Sequence, residues 1–353
     1  MNKYILISII SAFAICLLPS CSKWTDTESK DFEDFGNSEE YYADLREWKS
    51  TRKDREITFG WFGNWTGVGA SLANCMIGLP DSVDMISIWG EWHPHTITPA
   101  KRKDLETVQQ QKGTLVLACS FTMNVGDHLT PEGVDQNEFW GWDNQDKVKQ
   151  EAAIRKYAKA FVDSVHKANL DGFDIDHEPH FGGAGNLASY PDRMHIFISE
   201  LGKYFGPKSG TNKILAIDGE PHSLLPETGE YLDYFIEQTY GASSDYTLDN
   251  NRISKCFNQY KDVLTPEQIA AKYIATENFE NWALTGGVTF TRADGTIVRS
   301  LAGFAMWTPT YNTQQYRKGG VGTYHMEAEY AVPGKNGFYP FLREAIHIMN
   351  PQK

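Results

Sequence analysis

The run Leu170-Asp171-Gly172-Phe173-Asp174-Ile175-Asp176-His177-Glu178 decides how the rest of the chain is read. Four acids fall within eight residues of it, interleaved with apolar Phe173 and Ile175. Such alternation marks a β-strand, in which residues two apart share a face. Asp174, Asp176 and Glu178 therefore project to one side, and Phe173 and Ile175 to the other. Side chains on one face stand roughly 6.6 Å apart, from a rise of about 3.3 Å per residue. Carboxylates at that spacing raise one another's pKa, a cost that folds accept chiefly where a site moves protons. Two blander readings fare worse. A calcium loop of EF-hand type would need glycine near Pro179, and a solvated loop would leave Phe173 and Ile175 unburied.

Outward from this strand the chain keeps a rhythm. Strand patterns at 57–62, 85–89 and 114–119 precede it, and 213–217 (ending at Asp218-Gly219), 234–240, 273–277 and 303–307 follow. Helical patterns fall at 38–49, 98–111, 144–168, 192–205, 251–261, 266–270 and 337–349. Thr98-Pro99 reads as an N-cap with proline at the first helical position. In 144–168 the apolar stripe is Val148, Ala152, Ile154, Tyr157, Ala158, Phe161 and Val165. Eight strands alternating with helices predict a (β/α)8 barrel of the TIM type, a single catalytic domain over 55–353. An open doubly wound sheet would want a glycine-rich phosphate turn after the first strand, where Gly60-Trp61-Phe62-Gly63 stands instead. Asp294-Gly295, set between β-favouring residues, predicts a hairpin at 288–298 inserted between strands seven and eight. Gly182-Gly183-Ala184-Gly185 follows Pro179 rather than opening a helix, so it reads as a flexible loop and not a phosphate cradle.

Barrels of this kind carry their sites at the C-terminal ends of the strands. Residues expected there are Trp61, Asn64, Trp89, Glu91, Ser120, Met123, the acidic ladder, Asp218, Glu220, Gln238, Tyr240, Glu277, Asn278 and Trp307. Aromatic rings, carboxylates and amides around one mouth suit an uncharged, polyhydroxylated ligand. The net charge of −13 argues against a polyanionic partner such as nucleic acid.

The beginning of the chain reads as an address. Lys3 precedes an apolar run, Tyr4 to Leu18, too short to span a bilayer, and Leu18-Pro19-Ser20-Cys21 follows. That tetrapeptide resembles a bacterial lipobox, which implies a signal peptide over 1–20 and a lipid on Cys21. Membrane contact would then come through the lipid alone, at the outer membrane or cell surface of a Gram-negative bacterium. Residues 21–54 read as a tether and a short helix packing Tyr42, Leu45 and Trp48. Cys75, Cys119 and Cys256 show no metal-ligand spacing, and are expected as buried thiols with at most one bridge.

The acidic ladder also resembles a known signature. Asp171-Gly172-Phe173-Asp174-Ile175-Asp176-His177-Glu178 is similar to the DGxDxDxE motif of glycoside hydrolase family 18, which holds chitinases and endo-β-N-acetylglucosaminidases on (β/α)8 barrels. Gln238-Thr239-Tyr240 on the sixth strand and Trp307 on the eighth agree with it. The resemblance implies substrate-assisted hydrolysis needing neither metal nor cofactor. Glu178 would be general acid and base, Asp176 would orient the substrate's acetamide, Asp174 would share a proton with Asp176, and Tyr240 would bind the acetamide carbonyl. Gln238 and Trp307 would bind substrate, joined by Asn64, Trp89 and Glu277 from their places at the strand ends, while Asp171 would be structural. Within the family, Gln-x-Tyr followed by glycine resembles the endoglycosidase branch, where chitinases usually show Met-x-Tyr-Asp. The connection from 277 to 303 has room for one hairpin, not for the inserted domain many chitinases carry. The expected activity is cleavage between the two core N-acetylglucosamines of N-glycans by a monomer. A chitinase, or a glycan-binding lipoprotein without activity, are the alternatives, the latter weakened because Glu178 is intact.

Overall fold

The computed structural model describes residues 37–351. The apolar leader, Cys21 and the tether as far as Gly36 lie outside the described residues. Seven strands follow in the order expected: β1 (Ile57–Phe62), β2 (Met85–Ile88), β3 (Leu115–Phe121), β4 (Gly172–His177), β5 (Ile214–Gly219), β6 (Tyr234–Glu237) and β7 (Tyr273–Asn278). Two small antiparallel ribbons come next, β8 (Thr289–Thr291) with β9 (Ile297–Arg299) and β10 (Thr310–Tyr311) with β11 (Gln314–Gln315). The strand β12 (Gly320–Tyr324) then pairs in parallel with both β7 and β1 and closes an eight-stranded barrel. Alternate residues fill its interior, among them Phe59, Trp61, Leu117, Ala216, Ile236 and Ile274. The opposite faces meet the helical layer. Phe173 stacks on Phe161, ring centroids 4.7 Å apart, and both rings are fully buried.

The eighth strand departs from expectation. Residues 303–307 belong to a helix, Ser300–Met306, that ends at Trp307. A five-residue apolar run carries no period that separates buried strand from buried helix. The true closing strand, Gly320-Val321-Gly322-Thr323-Tyr324, reads as a loop because its glycines have low strand propensity. The barrel needs them. A Cβ on Gly320 would lie 2.1 Å from the carbonyl oxygen of Ile57, and one on Gly322 2.7 Å from that of Phe59. The connection after β7 is therefore longer than expected, running from Phe279 to Gly319, though it holds the predicted hairpin as β8–β9.

Long helices follow their sequence signals. The helix Lys147–Ala168 is capped by Asp146 and ends at Asn169 in the left-handed region, φ 61°. Ile154, Tyr157, Ala158, Phe161 and Val165 of the expected stripe are buried, whereas Val148 and Ala152 are exposed and Ala153 and Val162 join the buried face. Thr98 caps the helix Pro99–Gln110 as expected. The helix Glu39–Ser50, capped by Ser38, buries Tyr42, Leu45 and Lys49, whereas Trp48 is half-buried beneath the Arg55 guanidinium, 3.5 Å away. Lys49 Nζ donates to Thr114 Oγ1 at 2.7 Å, and Arg46 donates to the Gln111 carbonyl at 2.9 Å. Both partners precede β3, so this helix seals the barrel at the N-terminal ends of its strands. No helix among the described residues is long and apolar enough to cross a membrane. Cys75, Cys119 and Cys256 are buried and free.

Candidate active site

At the opposite end of the barrel lies a cleft of about 380 Å³, walled by Trp61, Trp89, Phe121 and Tyr324 and floored by Asp176, Glu178, Asp218, Gln238 and Tyr240. The strand alternation puts Asp174 and Asp176 inside the barrel, and Glu178 follows the last residue of β4 at the mouth. Asp174 is the deepest of the three, with no exposed surface. Its Oδ2 accepts from Trp61 Nε1 at 3.0 Å and from Ser87 Oγ at 2.8 Å. Burial lifts its pKa from 3.8 to about 6, held down partly by bonds from Ser87, Trp61 and Asp218. Asp176 is pushed well above the usual carboxylate range, first by burial and then by the charges of Glu178 and Asp174. Its Oδ1 is buried and accepts from no protein group. Burial also raises Glu178, and a hydrogen bond from Gln238 Nε2 to Glu178 Oε1 opposes the rise.

Facing this ladder, Tyr240 stacks on Tyr324 with centroids 6.1 Å apart, and burial keeps its phenol protonated. Trp61 and Trp89 each meet the edge of Tyr324. The wall is thus one continuous aromatic surface against which a sugar ring can lie. Asp171 sits at the other end of β4, where its Oδ2 accepts from the Val116 N–H and from Gln109, a structural role. His177 faces outward, 2.8 Å from Ser223 Oγ.

Of the residues singled out in the sequence, Asp174, Asp176, Glu178, Gln238, Tyr240 and Trp89 converge here. Three others lie outside the cleft wall. Trp307 caps the end of its helix, buried, donating to Asp249 Oδ1 at 3.0 Å with its ring edge on Tyr273. It cannot floor the mouth, because the strand that was to carry it is a helix. Glu277 is fully buried and turned away from the cleft, accepting from Gly241 N, Asn278 N and Ser300 Oγ. Asn64 adopts a left-handed turn, φ 52°, and its amide donates to Glu327. In exchange the structure brings in Tyr324, from the glycine-rich strand, and Phe121, neither of which the sequence marked. Asp218 and Trp61 were placed at strand ends without a role. An acid closing the apolar run Ile214-Leu215-Ala216-Ile217 was the available signal for Asp218.

A closed (β/α)8 barrel with stacked carboxyls under an aromatic wall at the C-terminal mouth defines a glycoside hydrolase. More narrowly, the chain belongs to glycoside hydrolase family 18. The model of the BT1044-like group of that family matches residues 25–348. The chain is 25% identical over 324 residues to Endo-beta-N-acetylglucosaminidase F2 of Elizabethkingia meningoseptica, covering 84% of this chain and 83% of that protein. A solved structure of BT1044, a selenomethionine glutamate-to-glutamine variant, is 33% identical with a TM-score of 0.76, over 89% of this chain and 93% of that one. The apo endo-beta-N-acetylglucosaminidase of Cordyceps militaris shares the fold at 21% identity and a TM-score of 0.58, over 89% of this chain and 97% of that one.

Proposed function

We propose that this family 18 hydrolase is an endo-β-N-acetylglucosaminidase that cuts the β-1,4 bond between the two core N-acetylglucosamines of N-glycans, with retention. The observation that carries the reading is the Asp174–Asp176–Glu178 ladder with Gln238 and Tyr240 across the cleft. The similarity to Endo-beta-N-acetylglucosaminidase F2 supports the choice of substrate. So does the build of the connection after β7, which consists of short helices and two-stranded ribbons and not of a large inserted domain.

The steps follow from the side chains. Glu178, whose pKa burial raises, gives its proton to the glycosidic oxygen as that bond breaks. The carbonyl oxygen of the substrate's own acetamide attacks the anomeric carbon and closes an oxazolinium ring. Asp176 Oδ1 accepts the acetamide N–H, fixing the attack angle. The Tyr240 hydroxyl donates to the acetamide carbonyl. Glu178, now ionised, takes a proton from water, which opens the ring and restores the anomeric configuration. A lipid on Cys21 would hold the enzyme at the outer membrane as a monomer.

The test is incubation with a high-mannose glycoprotein, a complex-type glycoprotein and chitin oligomers, with products weighed by mass spectrometry. Release of glycans carrying one N-acetylglucosamine at the reducing end is expected. Turnover of chitin oligomers alone would replace this reading by a chitinase.

A further inference from the structure

We propose that Asp218 is a positioning residue of the hydrolytic site: as a neutral acid it donates a hydrogen bond to Asp174 and leaves Gln238 on Glu178, tying the β4 ladder to the turn after β6. The inference rests on the glycosidase reading above. Asp218 is paired in register with Asp176 across β4 and β5, and is 1% exposed. Its side chain is in hydrogen-bond contact with Asp174. Two carboxyl groups keep such contact only with a proton between them.

The surroundings say which one carries it. Asp174 Oδ2 accepts from an indole N–H and a hydroxyl, at 3.0 and 2.8 Å, which favours the ionised form. Asp218 receives only long contacts, from Gln238 Nε2 at 3.4 Å and the Cys119 thiol at 3.7 Å. Its titratable neighbours are Cys119 on β3, Asp174, Asp176 and Glu178 from β4, and Tyr240 after β6, none of them a cation. The shared proton therefore belongs to Asp218, in agreement with the strong rise of its pKa through burial and the neighbouring charges.

Gln238 links this acid to the chemistry. Its Nε2 donates both to Glu178 Oε1 and to Asp218 Oδ1. A neutral Asp218 takes the weaker share and leaves the amide on Glu178. An ionised Asp218 would draw the amide away, and would add a charge beside Asp176, the residue that must accept the acetamide N–H.

The pH profiles of kcat and KM for wild type, Asp218→Asn and Asp218→Ala, with Glu178→Gln in the same assay, test this. Asn keeps a neutral, hydrogen-bonding side chain, so kcat should fall by about threefold, against roughly thirtyfold or more for Ala, with KM held within about threefold in both. The alkaline limb, set by Glu178, should stay in place in Asp218→Asn, because a neutral side chain replaces a neutral one. Equal damage in the two variants, or a loss seen in KM alone, overturns the proposal. A carboxyl carbon-13 titration of the free protein, with Asp218 assigned by its missing signal in Asp218→Asn, needs no substrate. Asp218 should remain protonated at pH 7, and ionisation by pH 5 overturns the proposal. Wild type inactive on every glycan would defeat the functional reading while leaving this titration to judge Asp218.

Discussion

Glu178 must be protonated to act, so the sign of its shift sets the working range. Burial raises its pKa, which keeps the acid loaded to higher pH, and activity should fall as pH rises through that raised value. Replacing it with Gln removes the transferable proton but keeps the amide-like shape. A fall in kcat of about 10³-fold or more with KM nearly unchanged is expected from steady-state kinetics. The deeper Asp174 predicts an effect on stability. Its folded value of about 6 lies above 3.8, so the fold loses stability as pH rises between those values. Asp174→Asn removes that loss. Its Tm relative to wild type should therefore be more favourable at pH 7 than at pH 4 in calorimetry, while its turnover drops. Reversal of that pH trend would show that the bonds from Trp61 and Ser87 outweigh burial.

Among elements, β4 and β12 show what a sequence can and cannot declare. Every position of β4 speaks twice: the alternation assigns the strand, and the acids on one face assign the site. Because the ladder repeats at the period of the strand itself, the directions of Asp174, Asp176 and Glu178 were legible before any coordinates. The closing strand speaks in neither way. Gly320 and Gly322 are chosen for the carbonyls of β1 that pass beneath them, a contact between segments more than 250 residues apart in the chain. Local pattern holds no trace of that contact, so the sequence assigns Trp307 the place that Tyr324 takes. Glu277 differs, since two of its three partners, the Gly241 and Asn278 amides, are backbone groups and leave no mark in side-chain pattern. The closure makes a measurable claim. Gly320→Ala forces a methyl to within 2.1 Å of the Ile57 oxygen and should cost about 2 kcal/mol or more in denaturant unfolding. A neutral result would mean that β12 can slide outward without opening the barrel.

On the scale of the whole molecule, chemistry and structural support sit at opposite ends of one barrel. The mouth gathers the aromatic wall and the carboxyls, and the far end is sealed by the helix Glu39–Ser50. Removing residues 1–50 uncovers the seats of Tyr42 and Leu45 and should cost on the order of 3 kcal/mol. Turnover measured below the lowered Tm should stay at the wild-type level, because that helix reaches no residue of the cleft. Loss of turnover under those conditions would show that support at the base is transmitted to the mouth.

The same helix fixes where the chain arrives at the folded body. Asn37 and Tyr41 bond to Asp81, on the segment leading into β2, and so lie on the side away from the cleft. Coupled to a bead or an electrode through the exposed start of that helix, the folded body would present its mouth to bulky glycoproteins in solution. Coupling through the rim of the mouth would bury it against the support.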